Sequence, residues 1–205
     1  MKINFTLFTF VLVCTLYSCN QKATLSEYKF SDKDPIMNCD GQDSKLLNEA
    51  IYSFEDDMST YFKGSYNRLG RLDVFYSQFI GRSLKHMVNF EDLITPHTLE
   101  IFHVLKTKKD LWNPDSKVSK LNYYGSFFNC IVTNVQDKDF KTTLNALVTT
   151  HSMSPKMITE RLLIKYRTVA KDNYLRAYVV FDLLYANLFD IDETKVKERN
   201  QADQN

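Results

Sequence analysis

Turn-forming residues are scarce in this chain. Glycine occurs five times and proline four times in 205 residues, and folds built from many short strands use both at hairpins and corners. The long stretches lacking them carry apolar residues at three- and four-residue spacing, which is the helical period. With 44% hydrophobic and 25% charged residues, the chain can build one ordinary globular core. That composition excludes a disordered protein and a multi-span membrane protein.

The periodicity predicts an all-α domain over residues 43–191, an irregular antiparallel bundle of six or seven helices. After an Asp43 or Ser44 cap, Leu46, Leu47, Ala50, Ile51, Phe54 and Met58 form the first stripe. The polar stretch 65–70 implies an antiparallel neighbour, a helix from about Arg71 whose stripe includes Phe75, Phe79, Leu84, Met87 and Val88. Thr95-Pro96 and Ser154-Pro155 each place a cap before a proline at the first helical position. A further helix is expected from Lys120, with Tyr124, Phe127, Phe128, Ile131 and Val135 on its stripe, and another from Asp137 to Asp139. From Ser154 to Phe189 no glycine interrupts, and a break is expected near 170–173 because a single helix of that length is unusual for one domain. Residues 192–205 are polar and are expected to fray as a flexible tail.

At the amino terminus, Met1-Lys2 precedes 13 uncharged, mostly apolar residues, Phe5 to Tyr17. As a helix that run covers roughly 20 Å, short of the roughly 30 Å hydrocarbon core, so it reads as a signal peptide, residues 1–18, not a span. Leu16-Tyr17-Ser18-Cys19 follows. This resembles the lipobox of bacterial lipoproteins, in which an aliphatic and a small residue precede a lipidated cysteine. Tyr17 is bulkier than the residue usual at its position. The resemblance covers about 20 residues, and it implies cleavage before Cys19 and acylation of that residue. Residues 19–42 would then be a lipidated polar tether, with turn signals at Asp34-Pro35 and Asp40-Gly41. The Asn, Lys, Tyr and Phe content is similar to that of Bacteroidota lipoproteins. Surface-exposed members often carry an acidic cluster after the cysteine, whereas Asn20-Gln21-Lys22-Ala23-Thr24 has none. An outer-membrane anchor facing the periplasm is therefore preferred over the cell surface.

Without residues 1–18 the basic and acidic side chains balance, because Lys2 is the one charge removed. A neutral chain lacks the electrostatic attraction behind non-specific nucleic-acid binding, so no nucleic-acid partner is expected. Of the four cysteines, Cys14 leaves with the signal and Cys19 takes lipid. Cys39 and Cys130 are then free to pair in an exported compartment, or Cys130 packs as a small apolar residue among Phe127, Phe128 and Ile131.

Chemistry-bearing patterns are sparse. Glu100 and His103 have Glu-x-x-His spacing, with His97 one turn earlier, but di-iron bundles need that pattern on two helices. A surface helix is the plainer reading, and no metal or cofactor is expected. Glu55-Asp56-Asp57 points three ways, each about 100° apart, and reads as a solvated face. The tyrosines sharing stripes with Leu and Phe read as core and rim packing. Residues 177–189 are apolar all round, the mark of a central helix, with Asp182 the one charge between Arg176 and Asp190. A buried Asp182 must be paired, hydrogen-bonded or neutral, either through a Tyr hydroxyl or Arg contact or as the polar anchor of an apolar ligand pocket. Phosphate-loop, dinucleotide, nucleophile-elbow and zinc-protease motifs are missing from the sequence. The function expected is protein interaction or structural assembly with an envelope partner, without catalysis; the alternative is binding of a small apolar ligand or metal through Asp182 or His97, Glu100 and His103.

Overall fold

Asp43 accepts a hydrogen bond from the Leu46 amide and so starts α1 (Ser44–Tyr61). Its inner face buries Leu46, Ala50, Ile51, Phe54 and Met58. The computed structural model describes residues 23–62 and 71–196. The expected signal peptide, Cys19, the 65–70 connection and the end of the polar tail lie outside the described residues.

Eight more α-helical segments follow: α2 (Leu72–Leu84), α3 (Phe90–Leu93), α4 (Pro96–Lys106), α5 (Ser126–Asn134), α6 (Lys138–Thr149), α7 (Pro155–Ile164), α8 (Tyr166–Val169) and α9 (Asn173–Tyr178). A π-helical stretch, Val179–Tyr185, and a 3₁₀ turn, Leu188–Asp190, complete the order. The fold is all-α, and among the described residues the one extended pairing is an isolated bridge between Trp112 and Leu121. No helix among these residues is long and apolar enough to cross a membrane. α1 lies against α4, and α2 against α7 and α8, while the π stretch runs through the core. Aromatic rings lock this core edge to face, Phe54 on Phe79 at 4.7 Å and Phe127 on Phe181 at 4.6 Å.

The helices are shorter and more numerous than six or seven. Ser154–Phe189 breaks twice, at Lys165 and between Ala170 and Asp172, where the Asp172 carboxylate restarts the chain by accepting from the Tyr174 and Leu175 amides. The helix expected from Lys120 begins instead at Ser126. Asp110 draws the chain in, accepting from the Ser126 amide, and Asp110 O stands only 2.4 Å from where a Cβ on Gly125 would lie. Tyr124 is consequently exposed rather than on a core stripe. α2 stops at Leu84 because His86, at φ 54°, closes it left-handed: the His86 and Met87 amides donate to the Ser83 and Arg82 carbonyls. Met87 is therefore exposed.

Residues 25–42 are not a tether. Leu25, Ile36, Met37 and Cys39 are buried. The Lys29 and Phe30 amides donate to the Glu49 carboxylate, and those of Ile36 and Met37 to Asn48 Oδ1. Cys39 is joined to Cys130 of α5 by a disulfide. At the other end, Val196 is buried and Glu193 meets His103 at 3.0 Å, so the tail packs at least that far.

Candidate functional site

The π stretch places Asp182 and Leu183 side by side on two adjoining recesses. Widening from an i−4 to an i−5 bond, as in the Ala186 amide donating to Phe181 O at 3.0 Å, is a departure that concentrates at functional sites. Every residue from Val179 to Tyr185 is buried. Asp182 Oδ1 accepts from Ser119 Oγ at 2.5 Å and from the Tyr123 hydroxyl at 2.8 Å. Burial raises the Asp182 pKa, and the hydroxyl donors oppose that rise. The Tyr123 hydroxyl is likewise pushed up, first by burial and then by the Asp182 charge. The fully buried Tyr178 hydroxyl beside them is pushed up in the same way, first by burial and then by the Asp182 charge.

Ser119 spends its proton on Asp182 and a lone pair on the Leu121 amide at 3.1 Å. Its hydroxyl is thus a pin, not a nucleophile. The pin fixes the 116–121 loop over the π stretch, and that loop carries Val118 to the mouth of the larger recess.

The larger recess has a volume of about 690 Å³, within the range of small-ligand pockets. Leu84, Val88, Phe90, Val118, Pro155 and Leu183 make its apolar wall, and Ser83, His86, Ser154, Lys156, Thr159 and Asn187 its polar positions. Ser83 Oγ is buried without a hydrogen-bond partner. The smaller recess, about 170 Å³, holds Asp182, Ser119, Lys117, Lys120 and Asp190. Both recesses share Val118, Pro155 and Asn187 as a saddle.

The other candidates do not converge. His97 is buried and its Nε2 meets Glu49 Oε1 at 2.7 Å. Glu100 accepts from the Ser26 amide, and the Ser26 hydroxyl first and that amide second lower its pKa, while His103 faces Glu193. Among the described residues no group of three or more His, Cys, Asp or Glu side chains could hold a metal ion.

The acidic run is not a solvated face. Asp56 alone is exposed; Glu55 takes a two-pronged pair from Arg176, both bonds 2.8 Å, and a bond from the Tyr76 hydroxyl at 2.9 Å. Asp57 is buried, with Oδ2 accepting from Thr98 Oγ1 and from the Thr95 amide, and Oδ1 without a partner. Burial pushes its pKa up to about 7. Ser53 bonds Thr98 at 2.7 Å, so Glu49, Ser53 and Asp57, four residues apart on α1, form one polar seam against His97 and Thr98 of α4. The four-residue repeat of polar side chains beside an apolar stripe was its available signal.

Compared with protein-family models, curated proteins and solved structures, the chain matches none.

Proposed function

We propose that this chain is a lipid-anchored envelope protein whose helical domain binds a small apolar ligand, without catalysis. The observation that carries this reading is the apolar-walled recess of about 690 Å³ beside the π stretch. Asp182 supports it as the polar anchor that positions the Val118 loop. Val118, an exposed apolar side chain, lines the recess. A concave, apolar-walled recess of this volume suits a small molecule better than a flat protein partner, so the small-ligand reading ranks above assembly.

A neutral dye, N-phenylnaphthylamine, tests the recess. Its fluorescence rises on binding the wild-type chain, and Leu183→Trp, which places an indole in the space, abolishes the rise while leaving the helical signal intact. Val118→Trp does the same from an exposed loop position, so a folding failure in the first variant leaves the test standing. Dye uptake unchanged in both variants would reject the recess as the site.

The anchor is a separate expectation. Several acyl chains hold a protein durably, each buried CH₂ adding about 0.8 kcal/mol. A Cys19→Ser chain should leave the membrane fraction in a carbonate wash, and retention there would reject lipidation.

A further inference from the structure

We infer that the ligand of the larger recess is a single-chain amphiphile with an anionic head, a carboxylate or phosphate monoester, seated where α7 begins. This rests on the recess being a ligand site and adds the chemistry of the head.

Three observations point the same way. The charged or titratable side chains lining the recess are Lys156 and His86, with no carboxylate among the lining residues. α7 is ten residues long and starts at the recess wall, and its cap residue Ser154 makes no side-chain hydrogen bond. Its amino-terminal partial positive charge is therefore not met by a side-chain cap; α2, α5 and α8 share that feature, but α7 is the one of these that begins at the larger recess. The opposing negative end, the carboxyl terminus of α2, is closed by the His86 and Met87 amides on the Ser83 and Arg82 carbonyls.

The acids nearby, Asp182 and Asp190, line the smaller recess beyond the Val118–Pro155–Asn187 saddle, and Asp182 is already bonded to Ser119 and Tyr123. Lys117 and Lys120 line that recess too and balance the two acids, so it offers a cationic head no net attraction. Leu84, Val88, Phe90 and Leu183 surround the tail, while the head meets Lys156 at the exposed rim.

The test uses the full lipidated chain in phosphatidylcholine nanodiscs, with empty nanodiscs as blank. Octanoate, octyl phosphate, octanol and octylammonium are titrated by calorimetry. The two anions should bind at least tenfold tighter than octanol, and Lys156→Glu should erase that margin while octanol affinity stays within twofold. Equal affinity for all heads, or preference for octylammonium, would overturn the anionic head but keep the apolar site. No binding of any probe would overturn both. Lys156 is exposed, and an unchanged thermal melt of Lys156→Glu shows that lost affinity is not lost folding.

Discussion

Serine at Cys39 and Cys130 together lowers the free energy of unfolding by about 4–5 kcal/mol. The bridge spans 91 residues, and cross-linking so distant a pair removes that much loop-closure entropy from the unfolded chain. Few single features weigh as much in a domain whose net stability is on the order of 5–15 kcal/mol. The effect should be local as well as global. Cys39 fixes the 25–42 arm, whose other ties include hydrogen bonds to Glu49, Asn48, Glu100, Tyr52, Ser126 and Tyr174 and a few buried side chains. Urea titration should show the midpoint falling, and proteolysis should cut the arm first. A change below about 1 kcal/mol would mean that the arm's packing alone holds it.

Asp57 should set the pH dependence. An acid whose folded-state pKa lies above its unfolded value adds stability that is complete below the unfolded pKa and is lost as pH rises through the folded one. For Asp57 those values are 3.8 and about 7. The fold should therefore lose stability between pH 4 and 7, by roughly 4 kcal/mol over the full range at about 1.4 kcal/mol per pH unit. Asn at position 57 keeps an oxygen for Thr95 and Thr98 but cannot ionise. Measured by urea unfolding, the Asp57→Asn chain should gain on wild type by about 2–3 kcal/mol on going from pH 5 to pH 8. Parallel pH profiles for both chains would show that Asp57 ionises at no cost in its seam. Asp182, also raised by burial, changes stability in the same direction in both chains and cancels in the difference.

Local signals in the sequence carried the helical class and several helix starts. Thr95-Pro96 opens α4 with the Thr95 hydroxyl accepting from the Thr98 amide, as the dipeptide implied. Ser154-Pro155 opens α7, yet Ser154 forms no cap bond, a difference that composition cannot carry. Apolar residues all round 177–189 told of burial but not of π winding, since periodicity is lost when every face is covered. The 25–42 arm was illegible for another reason. Its backbone is satisfied by side chains of α1, so polar residues there read as solvent-facing. The acidic run showed only that its three side chains diverge; which one turns inward depends on where α4 lies. Asp182 was visible as the lone charge of an apolar stretch. Its partners Ser119 and Tyr123 come from a loop some 60 residues earlier, 63 and 59 positions away, and the recess draws its wall from α2, the 116–121 loop, α7 and the π stretch together. Such a site exists only in the packed chain.

Native mass spectrometry of the protein purified from the cells that make it tests the binding reading most directly. The expected spectrum shows a bound species of small-molecule mass above the ligand-free chain, absent from Leu183→Trp and Val118→Trp. A single ligand-free mass in wild type, together with no dye uptake, would contradict it.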